Sequence, residues 1–133
     1  MEKKLKHLEF IQNVITRMNS NSFTIKGWTI TLISALFALA ANGSNPKYVL
    51  ITYIIVPVFW VLDAFYLSQE KQYRGLYNDV AIKNEDAIDF SMNATKYDVN
   101  DNTWLSSIFT KTIMPFYGIA LTASLIVMYL LNK

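Results

Sequence analysis

Three long apolar segments decide what this chain can fold into. They cover residues 23–41, 48–68 and 110–131. A helix rises about 1.5 Å per residue, and about 20 apolar residues are needed to cross about 30 Å of hydrocarbon, so each segment is long enough to span a bilayer. Composition agrees, since 53% of the 133 residues are hydrophobic and the mean hydropathy is +0.23. The sequence therefore predicts an all-α integral membrane protein, with three transmembrane helices in a single membrane domain.

The first segment also has one property of a signal peptide. Ala38-Leu39-Ala40 fits the small-x-small pattern at which signal peptides are cleaved. The 22 residues before the segment are too long and too regularly patterned for the basic region of such a peptide. We therefore expect the first segment to be retained as a membrane helix.

Basic side chains are distributed unequally between the two sides that three crossings create. Ten of the 12 lie in residues 1–22 and 69–109 or at their membrane boundary, whereas only Lys47 and Lys133 lie on the other side. Lysine and arginine favour the cytoplasmic side of a membrane. We therefore predict a multi-pass membrane protein with its N-terminus in the cytoplasm and its C-terminus outside. The short polar turn at 42–47 is then extracytoplasmic.

The cytoplasmic parts are patterned as helices. Residues 1–22 are predicted to form an amphipathic helix, because apolar side chains recur at helical spacing over 5–18. That stripe could lie on the membrane surface, or pack against a helical extension of the second span, where a similar stripe covers 73–80. We favour packing, since the arm has four basic and two acidic side chains and residues 69–103 have four basic and seven acidic ones. Residues 84–102 are polar and are predicted to form an irregular or briefly helical linker within the 69–109 stretch.

Two charged residues lie inside the predicted spans at similar depth. Lys26 is about 6 Å and Asp63 about 7.5 Å from the cytoplasmic ends of their spans, at about 1.5 Å per residue. A charge at the centre of a membrane helix costs about 2.5 to 3.5 kcal/mol, so such charges pair or reach water. We predict an intramembrane ion pair between Lys26 and Asp63. The alternative is a lysine that extends alone to the headgroups.

Two helix faces carry small or polar side chains. The first is a small-residue face of the first span, which we expect to form a helix–helix interface: Gly27, Thr31, Ser34, Ala35 and Ala38. The second is a polar stripe along the third span: Lys111, Pro115, Gly118, Thr122 and Tyr129. Pro115 is expected to leave the Lys111 carbonyl without its helical partner. Three helices of one chain cannot enclose a pore, so this stripe either lines a pore in an oligomer or forms a tight, dry helix contact.

Nothing in the sequence indicates an enzyme or a cofactor site. There is no cysteine, and the one histidine, His7, lies in the polar arm, which excludes disulfides, thiol catalysis and a cysteine or histidine metal cluster. No nucleophile–base pair or phosphate-binding glycine loop is present. We expect a protein that is not an enzyme and carries no metal or cofactor.

Two stretches carry a resemblance to a known group of proteins. NSFTIKGW at 21–28 and LDAFYLSQE at 62–70 resemble small bacterial membrane proteins and the membrane effectors of anti-phage abortive-infection systems, the Hailong channel effectors among them. The resemblance covers residues 5–92. The positions that match are Asn21, Ser22, Phe23, Lys26, Gly27, Trp28, Leu62, Asp63, Tyr66, Leu67, Gln69 and Glu70.

That resemblance implies a function that the residues alone do not show. It implies a homo-oligomeric ion channel in the lipid bilayer, which depolarises an infected cell when an inhibitory nucleic acid or nucleotide signal, made by a partner nucleotidyltransferase, is lost. A cytoplasmic ligand face for such a signal would combine basic and aromatic side chains. The candidates are Lys3, Lys4, Lys6, Arg17, Lys71, Tyr73, Arg74 and Tyr77.

Other interpretations of the same features stay open. The basic residues of the candidate ligand face are also what cytoplasmic topology requires. A non-conducting membrane adaptor that recruits a cytoplasmic protein is the alternative function, and a transporter subunit is a third.

Overall fold

The computed structural model describes residues 2–43, 45 and 47–131 of the chain. These residues form helices and loops, and they contain no β-strand. Three short 3-10 helices precede the third α-helix. The four α-helices are α1 (Glu2–Gly43), α2 (Lys47–Ile82), α3 (Trp104–Ile108) and α4 (Met114–Leu131).

Three of these helices, α1, α2 and α4, are long and apolar enough to cross a membrane. The fold is therefore all-helical with three candidate spans, as the sequence predicts. This is the architecture of a multi-pass membrane protein.

The helix bounds differ from the predicted ones in α1 and α4. No break separates residues 2–22 from the first span, because no glycine or proline interrupts α1 before Gly27. α2 continues past residue 68 to Ile82, which agrees with the predicted helical extension of the second span. α4 begins at Met114 instead of residue 110, since residues 109–113 form turns. Of the predicted turn at 42–47, Ser44 and Pro46 lie outside the described residues, as does Lys133 at the C-terminal end.

The start of α4 also changes the expected effect of its proline. Pro115 lies in the first turn of the helix, where a backbone N–H has no intrahelical partner in any case. Lys111 lies in the preceding turn and is not a residue of α4. Pro115 therefore starts a helix and does not interrupt one.

The chain divides into two compact units, which we describe separately. The arm unit contains the residues up to Ser22 together with Ala64–Ser107. The span unit contains Phe23–Asp63 together with the residues from Ile108 onward.

A small hydrophobic core holds the arm unit together. Fully burying one aliphatic side chain contributes about 1.5 to 3 kcal/mol. The apolar stripe of α1 packs against the stripe of α2, which is the contact that their spacing predicted, and the 84–102 loop covers both. The buried members of this core are Ile11, Ile15, Leu76, Val80, Ile88 and Ala94.

The 84–102 loop is ordered by short-range hydrogen bonds from backbone to side chain. The backbone N–H of Ser91 donates to Asp89 Oδ1 at 3.1 Å, that of Asn93 to Ser91 Oγ at 3.1 Å, and that of Thr95 to Asn93 Oδ1 at 3.0 Å. Such turns satisfy the backbone locally in place of a helix or strand. The observed loop, with its brief 3-10 helices, agrees with the predicted linker.

Asp79 fastens this loop to α2. The Tyr97 hydroxyl donates to Asp79 Oδ2 at 2.6 Å, and the ammonium groups of Lys83 and Lys96 lie 3.0 and 3.6 Å from the same oxygen. The hydrogen bond from Tyr97, together with Lys83, lowers the pKa of Asp79 to about 2. Burial and the bond to Asp79 raise the pKa of Tyr97 to about 12. The Tyr97 ring also lies directly over Gly75, where a Cβ would meet its Cδ1 at 3.0 Å.

Candidate functional site

A buried cluster of lysine, aspartate and tyrosine joins the three long helices within the span unit. Lys26 comes from α1, Asp63 from α2 and Tyr117 from α4. Lys26 Nζ lies 2.6 Å from Asp63 Oδ2, and the Tyr117 hydroxyl donates to the same oxygen at 2.9 Å. Asp63 and Tyr117 are fully buried, whereas 23% of the Lys26 side chain is exposed. The structure thus brings the predicted pair together and adds a tyrosine that the sequence analysis did not identify.

Trp60 holds the tyrosine in place. Its ring stacks on Tyr117, with centroids 6.0 Å apart and planes 10° from parallel. Its indole N–H donates to the Ile108 carbonyl at 2.9 Å. Trp60 therefore contacts both α4 and the residue that precedes the turn before α4.

The cluster matters energetically because its carboxylate has no water-exposed surface. Removing one partner of a buried ion pair costs about 3 to 5 kcal/mol, since the other charge is left uncompensated. Two charge-assisted hydrogen bonds to one oxygen also fix the geometry more tightly than a simple contact of charges. The cluster can thus set how the three helices pack inside the span unit.

A second polar contact joins α2 and α4 and carries no charge. Thr52 Oγ1 lies 3.0 Å from Ser124 Oγ, and both residues are fully buried. The Tyr53 hydroxyl reaches the Ser124 carbonyl at 3.4 Å. Hydrogen bonds of this kind between membrane helices contribute about 0.6 to 2 kcal/mol each.

A signal for this second contact was present in the sequence. Tyr117 and Ser124 are separated by seven residues, which places both on one face of an apolar helix. Polar side chains at that spacing indicate a buried helix contact. The sequence analysis identified only the longer polar stripe on the other side of the helix.

The small-residue face of α1 is exposed in this chain. Gly27, Thr31, Ser34, Ala35 and Ala38 are all exposed, and a Cβ placed on Gly27 would meet nothing within 4 Å. At the edges of this face, Thr31 lines a cavity with Phe59 of α2, and Ser34 lines one with Phe116 of α4.

The ion pair explains this rotation of α1. At 100° per residue, the buried residues Thr29, Ile33 and Ala40 lie within about 60° of Lys26, whereas the small face is centred more than 100° away. Because Lys26 must face Asp63, the small face is turned outward. Contact within the chain therefore uses another side of α1, and the predicted interface on the small face stays a prediction about contact between copies.

The polar stripe of the third span is also turned outward. Pro115, Thr122 and Tyr129 are exposed, and a Cβ placed on Gly118 would meet nothing within 4 Å. The Thr122 hydroxyl donates to the Gly118 carbonyl at 2.9 Å, so it needs no second helix to satisfy it. The buried side of α4 is that of Tyr117 and Ser124, and Lys111 lies exposed in the turn before the helix.

The residues of the candidate ligand face differ in their contacts. The Lys4 ammonium donates to the carbonyls of Ala81 and Lys83 at 2.9 and 2.8 Å, and it thereby caps the C-terminal end of α2. Arg74 pairs with Glu70 at 2.9 Å. Lys71 donates to the Asp101 carbonyl, and Arg17 is exposed. Tyr73 and Tyr77 pack on the core of the arm unit. Lys3 and Lys6 line a separate cavity.

Neither a metal site in the described residues nor a similarity to a known protein indicates the function. Within residues 2–43, 45 and 47–131, no group of three histidine, cysteine, aspartate or glutamate side chains could hold a metal ion. Comparison with known protein families, curated proteins and solved structures gives no match to this chain. A functional proposal therefore rests on the residues and their geometry.

Proposed function

We propose that this protein is a homo-oligomeric, gated ion channel of the bacterial inner membrane, with its N-terminus in the cytoplasm. The proposal is supported by three candidate spans and by the ten basic residues on the N-terminal side or at its boundary. In the defence role that the sequence resemblance suggests, opening the channel depolarises the infected cell. A nucleic acid or nucleotide made by a partner nucleotidyltransferase would hold it closed.

The observation that carries the proposal is the outward position of the stripe on α4. Gly118, Thr122 and Tyr129 lie on a side of the helix that the chain does not cover with its own α1 or α2. Around a symmetry axis, copies of such a stripe would line a shared path with hydroxyl groups and with the open space beside a glycine. A single copy would direct the same groups toward lipid.

The exposed small face of α1 supplies a contact between copies. Small side chains let helix backbones approach closely, and membrane helices associate through such faces. In this arrangement Gly27 and Ala38 meet a neighbouring subunit. The buried Lys26–Asp63–Tyr117 cluster keeps each subunit's three helices together while the outer faces assemble.

The test is conductance of the purified protein in planar bilayers, with variants on and off the stripe. Thr122→Phe should reduce or abolish single-channel current, because it places a ring in the path. Leu130→Phe is the matched control, since Leu130 is on the same helix, is 60% exposed and, at about 100° per residue, lies about 80° from Thr122 and about 100° from Tyr129. Equal currents from both variants and the wild type would remove α4 from the path.

A membrane adaptor is the second candidate, and one observation favours it. The arm unit has its own buried core, including Ile11 and Leu76, and thus offers a defined surface to a cytoplasmic protein. Absence of conductance in every oligomeric preparation would reject the channel and leave the adaptor.

A further inference from the structure

A cavity of about 400 Å³ in the arm unit combines apolar walls with two ammonium groups. Its lining consists of Lys3, Lys6, His7, Phe10, Phe90 and Met92. Sites for small molecules commonly measure about 300 to 1,000 Å³ and are mostly apolar, with a few polar groups that orient the ligand. Both the size and the lining fit that description.

His7 gives the cavity an unused polar atom. The residue is only 4% exposed, and its Nε2 has no hydrogen-bond partner among the residues that the structure describes. Buried polar side-chain atoms nearly always have a partner. The imidazole instead packs edge-on against Phe90, with centroids 5.4 Å apart. The Nε2 atom is itself closed to solvent, so a ligand oxygen in the cavity would supply the missing partner after a small shift of the side chains that cover it.

Phe90 is held at the cavity in an unusual backbone conformation. Its φ is 58°, a left-handed value that is rare for a bulky residue and persists only where the surroundings enforce it. Strain of this kind concentrates at binding sites. Here it places an aromatic ring, still 41% exposed, on the cavity wall beside His7.

The charged groups indicate which end of a ligand is polar. The Lys6 side chain is 62% exposed and lies 3.7 Å from Glu9 and 5.5 Å from the Phe10 ring, so its ammonium is near the cavity and only weakly engaged. Lys3 is exposed as well. The lining contains no carboxylate, amide or hydroxyl group that could recognise the edge of a nucleobase.

We propose that this cavity binds an amphipathic anion, in which an alkyl chain or a single hydrocarbon ring carries one carboxylate or phosphate group. The apolar body lies among Phe10, Phe90 and Met92, the anionic group meets Lys3 and Lys6, and His7 contributes the remaining hydrogen bond. A free carboxylate and the headgroup of an anionic lipid share this chemistry.

The single histidine of the chain makes the test direct. Protein labelled with ¹⁵N-histidine, in nanodiscs of phosphatidylcholine, gives the two ring-nitrogen signals of a single imidazole, which need no further variants to be assigned to His7. Octanoate should shift the Nε2 signal in a saturable way. Acetate, which lacks the apolar body, and octanol, which lacks the charge, should not saturate it at the same concentrations.

The lysines provide the matched variants. Lys3→Gln with Lys6→Gln should weaken octanoate binding about tenfold or more, because hydrogen bonds to charged groups are worth about 1.5 to 3 kcal/mol. Lys96→Gln removes another exposed lysine of the arm unit, outside this cavity, and should leave the affinity unchanged. Unchanged affinity in the double variant would overturn the proposal, as would a shift that only grows linearly with octanoate.

Two further experiments distinguish a free anion from a lipid headgroup, and an amphipathic anion from a nucleotide. If nanodiscs with phosphatidylglycerol already show the bound signal and octanoate no longer titrates it, the ligand is a lipid headgroup. If octanoate binds there as before, the ligand is a free anion. Saturation by adenosine monophosphate without saturation by octanoate would replace the amphipathic anion with a nucleotide and refute the proposal.

Discussion

Removing the lysine of the buried cluster should destabilise the protein far more than removing a lysine or arginine from its surface. In Lys26→Met, the aliphatic volume stays but the fully buried Asp63 carboxylate loses an ammonium group at 2.6 Å. Breaking a buried pair costs about 3 to 5 kcal/mol. Because 23% of the Lys26 side chain is exposed, we expect the lower end of that range, about 3 kcal/mol, or about 100-fold in the unfolding equilibrium.

The partner substitution completes a double-mutant cycle. Asp63→Asn keeps an oxygen for the Tyr117 hydroxyl and removes the charge, and the partly exposed Lys26 can then extend toward water. We expect a loss of about 1 kcal/mol for this variant. The double variant should also lose only about 1 kcal/mol, because neither charge remains, which gives a coupling of about 3 kcal/mol between contacting residues.

The measurement is the free energy of unfolding in mixed micelles titrated with sodium dodecyl sulfate and followed by far-UV circular dichroism. Lys6→Gln is the control, since it breaks the Lys6–Glu9 pair, whose side chains are 62% and 59% exposed, and exposed pairs contribute at most about 1 kcal/mol. A Lys26→Met loss no larger than that of the control would refute the reasoning. So would strictly additive effects in the double variant.

Two further predictions concern how the loop is fastened in the arm unit. Gly75→Ala should destabilise the protein by about 1 kcal/mol net, because overpacking against the Tyr97 ring costs about 1 to 3 kcal/mol and exceeds the gain in helix propensity of about 1 kcal/mol. Gly27→Ala, with nothing within 4 Å of the added Cβ, should show no loss in the same unfolding titration, and equal losses in both variants would contradict the contact. The pKa of Asp79 is lowered to about 2 from an ordinary 3.8. The stability that its carboxylate gives to the folded loop is therefore present above pH 4 and is lost as the pH falls toward 2. The pKa of Tyr97 is raised, so the stability that its hydroxyl gives to the folded loop is present below pH 10 and is lost as the pH rises toward 12. The resistance of the loop to proteolysis, measured with pH-tolerant enzymes, should fall at both the acidic and the alkaline pH limit. Tyr97→Phe should remove the alkaline limit. If that limit is unchanged in the variant, another group sets it.

Sequence periodicity was enough to predict the fold class and the main contacts. Three apolar stretches of sufficient length gave the three candidate spans, because length and hydropathy are local properties. The shared depth of Lys26 and Asp63 predicted their pairing, since both positions can be counted from the ends of their spans.

The remaining features depend on how each helix is rotated, which a single sequence does not determine. The small face of α1 is predicted to form a helix–helix interface, but the sequence does not show that the ion pair turns this face outward and buries Thr29 and Ile33 within the chain. Likewise, Tyr117 belongs to the cluster only because Ser124 and Tyr117 together face α2. The cavity at His7 could not be predicted, because it depends on a loop residue with a left-handed backbone.

The Lys26–Asp63 pair also has a consequence for how the protein enters its membrane. During synthesis, α1 and α2 leave the ribosome before α4, so the two opposite charges emerge while Tyr117 is still to be made. Inserted singly, each charged helix meets a cost that reaches about 2.5 to 3.5 kcal/mol for a charge at the centre of a membrane helix and is smaller near the boundary. Inserted together as a hairpin, the two helices present a neutral pair to the translocon, and the third helix then adds its hydroxyl to a carboxylate that is already in place.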